Sequence, residues 1–184
     1  MTDKPSKDKL SYIQERALRR IDPNLVDKFG DPNKHPEYQL TQEQIDEVIR
    51  LGREMFVAHL GPKDGYPIVT IHVYCLIDGS LWTTSVKGRV KAAALRRDPR
   101  CSMCISTTGL NLPFGGGITI KAKAEIVEDR AIVERVCREH ARRYYPTPTA
   151  EELFFASLFT PNRVAIRFQI EKIISWANIG MRKS

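Results

Sequence analysis

Six cations crowd one short stretch of this chain. In residues 81–100, L-W-T-T-S-V-K-G-R-V-K-A-A-A-L-R-R-D-P-R, Lys87, Arg89, Lys91, Arg96, Arg97 and Arg100 stand against Asp98 alone. Leu81 to Ser85 reads as a short strand, and Ala92-Ala93-Ala94-Leu95 strongly favours a helix, read here from about Gly88 to Arg97. Lys87, Arg89 and Lys91 then sit at the strand-to-helix join. Cations at a helix N-terminus oppose the macrodipole, at a cost of up to ~1 kcal/mol each when exposed. An anion at the join would reverse that cost. Free N–H groups of the first turn, the hydroxyls of Thr84 and Ser85 and the three cations could together hold a phosphate. A solvated basic helix start is the other reading of the same residues.

Other residue types that could do chemistry are poorly placed. Cys101-Ser102-Met103-Cys104 matches C-x-x-C, but strand residues three apart point to opposite faces, so the pair suits neither a metal nor a disulfide. His35, His59, His72 and His140 show no metal-ligand spacing, and no serine sits in a nucleophile elbow. Gly115-Gly116-Gly117 lacks the G-K-[ST] of a phosphate loop and reads as a flexible turn. A chain without an evident catalytic group borrows its chemistry from a cofactor, which the protein holds and orients. A phosphate-bearing cofactor at Lys87, Arg89 and Lys91 fits that description.

The elements that must position these residues follow from periodicity. The chain has 184 residues and is 42% hydrophobic, enough for one packed domain with an arm. Residues 1–40 are polar and proline-punctuated, with Leu10, Ile13, Ala17, Leu18 and Ile21 at helical spacing, and read as an arm. Residues 41–184 form the domain. Thr41-Gln42-Glu43-Gln44 is a capping box for a helix of about three turns. Met55 to Leu60, Tyr66 to Ile77 and Leu81 to Ser85 read as three strands joined by the turns Asp64-Gly65 and Asp78-Gly79, an antiparallel meander.

The second strand has two unlike faces. Val69, Ile71, Val73, Cys75 and Ile77 form an apolar set, expected in the core. Thr70, His72 and Tyr74 lie on the opposite face, suited to a ligand or a subunit interface. Cys101–Thr107, Ile118–Val127 and Arg163–Trp176 complete six strands. Asp129 caps a helix reaching about Tyr145 that buries Ile132, Val133, Val136, Cys137 and His140. Thr149-Ala150-Glu151-Glu152 reads as the capping box of the next.

Composition narrows the partners. No apolar run approaches the ~18 residues that span a bilayer. Lysine-rich Met1–Lys9 has no apolar segment behind it, so no secretory signal is expected; four cysteines then suit the cytoplasm with reduced thiols. The formal net charge of +7 allows nucleic acid. However, aromatics are not interleaved with the basic residues, and neither a zinc finger nor a helix-turn-helix is present. A small phosphorylated ligand is the better reading.

In order and spacing, several segments resemble the pyridoxamine 5′-phosphate oxidase-like, flavin-binding split-barrel family. They are Asp-Gly-Tyr-Pro before a long strand, L-W-T-T-S, a basic residue ahead of A-A-A-L-R-R-D-P-R-C-S, and I-T-I-K-A-K-A-E-I-V. The resemblance spans about residues 42–178. It implies a mainly β fold with peripheral helices, a six-stranded antiparallel split β-barrel that forms a homodimer. FMN or the deazaflavin coenzyme F-420 would lie in a groove between subunits, and hydride would pass to or from a small organic substrate. Lys91 falls at the family's phosphate-binding lysine. Thr84 and Ser85 fall where the third strand ends at the cofactor. Val69 to Tyr74 fall along the flavin. Lys87 and Arg89 match cations of the deazaflavin-using branch. The R-x-V-L-x-K pattern of the vitamin B6 oxidases is replaced by V-T-I-H-V-Y, and Arg182 is a weak substitute for their C-terminal arginines, so B6 oxidation is not expected. A non-catalytic cofactor carrier and a basic nucleic-acid-binding domain are the alternatives.

Overall fold

The structure, a computed structural model, describes residues 39–61 and 65–178. The expected N-terminal helix, Asp64 and Arg182 lie outside these residues. The fold is mainly β: the described residues form one curled antiparallel sheet of seven strands with four helices around it. In chain order these are α1 (Gln42–Leu51), β1 (Glu54–Leu60), β2 (Pro67–Val73), β3 (Cys75–Ile77), β4 (Ser80–Val86), α2 (Val90–Arg97), β5 (Arg100–Ser106), β6 (Gly115–Val127), α3 (Arg130–Tyr144), α4 (Pro148–Leu158) and β7 (Arg163–Asn178).

Strand order explains why there are seven strands rather than the expected six. It runs β2-β1-β5-β6-β7-β4-β3. The segment read as one long strand breaks at Tyr74, and its halves lie at opposite edges of the sheet. The sheet therefore curls until its two edges are joined covalently through one residue, a split barrel. β2 and β4 flank the split with no backbone ladder between them. A tie across it is the Thr83 hydroxyl, which donates to the Val73 carbonyl at 2.7 Å. The expected meander holds for the β1–β2 and β3–β4 pairs and fails between β2 and β4.

Tyr74 turns the chain because its side chain is committed inside. It is wholly buried, and its hydroxyl donates to the Ile49 carbonyl of α1 at 2.7 Å. Burial holds the phenol well above its usual pKa. The expectation that Tyr74 faces a ligand is thus corrected: it is a core residue. The barrel interior packs Met55, Val57, Tyr74, Leu81, Met103, Ile105, Ile118, Ile120, Ile166 and Phe168, with Val48 of α1 and Leu95 of α2.

The second correction concerns the apolar set of the second strand. Alternation holds, but the set faces outward. Cys75 and Ile77 are covered by α3 and α4, with Val133, Val136, Cys137 and Phe155. Among the described residues no helix covers Val69, Ile71 and Val73, which are 60%, 58% and 38% exposed. Phe56 lies directly opposite Ile71 on β1 and is 43% exposed. Alternation identifies which residues share a face; it does not say what covers that face.

Three local readings also change. The glycine triplet is strand, not flexible turn: Gly115–Gly117 pair with Trp176–Asn178. At Gly116, with φ +152°, a Cβ would stand 2.2 Å from the Trp176 carbonyl oxygen. At Gly117 it would meet the Trp176 ring at 2.9 Å. The α4 helix is capped by Thr147, two residues before the expected Thr149, because Pro148 suits its first position. Ile132 on α3 is 38% exposed instead of buried. The capping box at Thr41 and the cap at Asp129 form as read.

Candidate functional site

The basic join lies at the end of β4, beside the split. α2 begins with Arg89 as its N-cap residue, which makes no side-chain capping bond, and its first turn carries no acidic residue. The helix end is thus left with orphan N–H groups and cations together. Lys87 and Arg96 are answered by one carboxylate. Glu128 accepts from Lys87 Nζ at 2.6 Å and from Arg96 at 2.5 Å, and both bonds hold its carboxyl below the ordinary range. Arg97 donates to the carbonyls of Leu60 and Gly61, pinning the far end of α2 to the end of β1.

Arg89 and Lys91 are different. Among the described residues no carboxylate pairs with either. Lys91 is half-buried, and its pKa is lowered by burial and by the charges of Arg89 and Arg163. Arg163 begins β7, directly opposite Val86. It is partly buried, its Nε donates to the Leu158 carbonyl at 2.7 Å, and burial and Arg89 lower its pKa. Two cations at the start of α2 and one at the start of β7 thus stand within electrostatic reach of one another with no carboxylate paired to them among the described residues, an arrangement suited to an anion.

His72 stands on the interior side of β2, 4% exposed, beside this cluster. Thr70 Oγ1 and His72 Nε2 are 2.8 Å apart. Burial, then Lys91, then His59 push the imidazole down to about 4, so it is neutral near pH 7. His59 of β1 is equally buried, and neither of its ring nitrogens has a partner among the described residues. Thr84 and Ser85 part company. Ser85 is buried on the interior face, whereas Thr84 is half-buried opposite Ala165 on the helix-covered face. They cannot offer their hydroxyls jointly to one phosphate, as adjacent strand residues point opposite ways.

The structure therefore brings Arg89, Lys91, Thr70 and His72 together, ties Lys87 to Glu128 and withdraws Tyr74 into the core. Sequence reasoning missed the place of Arg163 and His59. Arg163 was visible only as one of several C-terminal cations, and its approach to Arg89 depends on the β4–β7 pairing. Among the described residues no group of His, Cys, Asp or Glu could hold a metal. The four cysteines are free, and burial pushes Cys75 and Cys101 up to about 12.

A cavity of about 660 Å³ opens beside the exposed Phe56 and Val73. Arg53, Glu54, Ser106, Thr108 and Tyr144 contribute to its wall. Tyr144 is a rigid part of it, because its hydroxyl bonds the Arg53 and Tyr74 carbonyls.

The curled sheet and the basic join after its fourth strand are matched by a family model. The pyridoxamine 5′-phosphate oxidase model covers residues 41–177. The chain belongs to this family. No curated protein matches it. Among solved structures it is similar to the conserved hypothetical protein Rv2991 from Mycobacterium tuberculosis, at 28% identity and TM-score 0.66, covering 76% of this chain and 86% of that one. Two more distant likenesses show the fold alone. One is a protein named F-420 reductase, at 17% identity and TM-score 0.53, covering 73% of this chain and 98% of that one. The other is HutZ, the heme storage protein from Vibrio cholerae, at 16% identity and TM-score 0.57, covering 77% and 97%. Among the described residues no helix is long and apolar enough to cross a membrane.

Proposed function

We propose that this family member is a homodimeric oxidoreductase that binds FMN or the deazaflavin coenzyme F-420. The observation that carries the reading is the cation pair of exposed Arg89 and half-buried Lys91 at the start of α2, beside the split and without a carboxylate partner among the described residues. Such a pair is stabilised by a phosphate, and the orphan N–H groups of the first turn of α2 add donors aimed the same way. The residues present fit a phosphate-bearing flavin. When bound, the flavin ring supplies hydride transfer to or from a small organic substrate.

The chain's own residues bind and orient. Arg89 and Lys91 hold the phosphate. Thr70 and His72 line the split, with His72 kept neutral by burial and by Lys91. The His72 Nε2 hydrogen-bonds to Thr70, so its ring is fixed in place. Lys87, through Glu128 and Arg96, braces the join. The outward strip of Phe56, Val69, Ile71 and Val73 takes a second copy of the chain, which supplies the other wall of the cofactor groove.

The test is a fluorescence and absorbance titration of the purified chain with FMN and with the deazaflavin coenzyme. Binding at micromolar concentration supports the reading, and no binding of either defeats it. A carrier protein grips the same phosphate. It is separated from an enzyme by turnover with reduced cofactor and a panel of acceptors.

A further inference from the structure

Arg53, between α1 and β1, stands in the wall of the cavity beside Phe56 and Val73. Its guanidinium carbon lies 5.2 Å from the centre of the Tyr144 ring. That ring is fixed, because its hydroxyl is spent on backbone groups of Arg53 and Tyr74. The cation is therefore held against an aromatic face. Among the described residues its N–H groups make no hydrogen bond and no carboxylate pairs with it. Glu54 follows directly in the chain, but extended backbone sends neighbouring side chains to opposite sides. Glu54 instead shares the outward face of β1 with Phe56. Thr108 supplies a second donor to the cavity wall. Its hydroxyl accepts from Ser106 Oγ at 2.9 Å, and its own proton has no acceptor among the described residues.

We infer that this cavity binds a planar organic monocarboxylate, a flat apolar body ending in one carboxylate. The planar fork of a guanidinium matches two carboxylate oxygens at once. Arg53 holds the carboxylate and the Thr108 hydroxyl donates to it. Phe56, Val73, Leu110 and the Tyr144 ring take the apolar body. The volume of about 660 Å³ suits a small molecule, and such sites pair mostly apolar walls with a few polar groups that orient the ligand. Glu54 limits the ligand's charge, since a second carboxylate would meet it in the same wall. Phe56 and Val73 also belong to the outward strip that borders the cofactor groove. Naming the carboxylate as the substrate of hydride transfer rests on the flavin reading above; its binding does not.

The probes are cinnamate and its neutral isostere cinnamamide, titrated into the full chain by calorimetry. Cinnamate should bind at ~1 mM or tighter, about tenfold tighter than cinnamamide. Arg53→Gln should cost cinnamate about tenfold and change cinnamamide less than about twofold. Equal affinity of wild type for the two probes, no binding of either, or a preference for cinnamate that survives Arg53→Gln overturns the inference. The wild-type comparison needs no substitution, so the test holds even where a variant is unstable. Glu54→Gln removes a like charge from the wall and should tighten cinnamate about twofold. No tightening puts the carboxylate elsewhere and overturns the assignment. A parallel titration with FMN and the deazaflavin coenzyme separates the two readings. Flavin binding without cinnamate binding defeats the carboxylate site alone. Cinnamate binding as expected, with neither flavin bound, supports the carboxylate site and defeats the flavin reading.

Discussion

Lys91 lies close enough to the buried His72 for its positive charge to oppose protonation of the imidazole. The two sit on different elements, α2 and β2, on either side of the split. Their juxtaposition makes stability and ligand binding depend on pH together.

The sign follows from the depressed pKa. Unfolded, His72 titrates near 6.5; folded, near 4. Above pH 6.5 both states are neutral and the group is without effect. As pH falls from 6.5 toward 4 the unfolded state takes a proton that the folded state refuses, so stability drops by up to ~1.4 kcal/mol per pH unit. His140 is also held below its usual value by burial and adds to the trend. Urea unfolding at pH 7, 6 and 5 should show the loss, and His72→Gln should flatten it in part. A wild-type curve level across that range would contradict the arrangement.

The grip on phosphate gives a second expectation. Replacing Arg89 and Lys91 together by alanine should weaken FMN binding by tenfold or much more, at roughly 1.5–3 kcal/mol per charge-assisted bond. Fold should survive, because neither residue has an ion-pair partner among the described residues. Circular dichroism and a thermal melt check the fold, and equilibrium titration reads the affinity.

Tyr74→Phe separates a core role from a binding role. The lost hydroxyl leaves the buried Ile49 carbonyl without its donor, at a cost of about 1–3 kcal/mol. Flavin affinity should stay within about twofold, since the ring is wholly buried. A large loss of affinity with unchanged stability would return Tyr74 to the ligand face.

Most of the fold was legible because periodicity and caps are local signals. Thr41 and Asp129 cap their helices where the side-chain chemistry says they should. What covers a face is not local. Val69 and Cys75 belong to the same outward set, yet only Cys75 meets α3 and α4. The glycine triplet was misread for a related reason: its φ +152° and the closeness of Trp176 are properties of the β6–β7 pairing, sixty residues apart. At the site, the Lys87–Lys91 cluster was visible as a charge run. Its division into Lys87, which Glu128 answers, and Arg89 and Lys91, which it does not, and the arrival of Arg163, depend on strand pairing across the whole chain.

The glycine argument is open to measurement. Gly116→Ala places a methyl group on the Trp176 carbonyl, 2.2 Å away, in a backbone conformation that only glycine adopts easily. Strain of about 1–3 kcal/mol is the minimum, and the clash with backbone adds to it. Gly79→Ala is the control, since its φ is +73° and nothing lies within 4 Å of a Cβ there. It should cost about 1 kcal/mol, the conformational penalty alone. Denaturant midpoints compared for the two variants test the ranking.

The outward strip of β1 and β2 carries the last prediction. Phe56, Val69, Ile71 and Val73 form adjoining exposed apolar positions, with Phe56 directly opposite Ile71 and Ala58 opposite Val69. Exposed apolar patches of this kind mark interfaces, and an isologous contact places each such substitution twice in the same interface. Ile71→Lys would therefore put two lysines into that interface, and should convert a dimer to monomer in sedimentation velocity at micromolar concentration. The barrel should keep its stability, because Ile71 points away from the interior that holds Met55, Tyr74 and Phe168. If the partner copy supplies the second wall of the flavin groove, FMN affinity must fall along with the dimer, although Arg89, Lys91 and Arg163 are untouched. A monomeric variant that binds FMN as tightly as wild type would show that the groove belongs to one chain. A variant that remains dimeric would move the interface off this face.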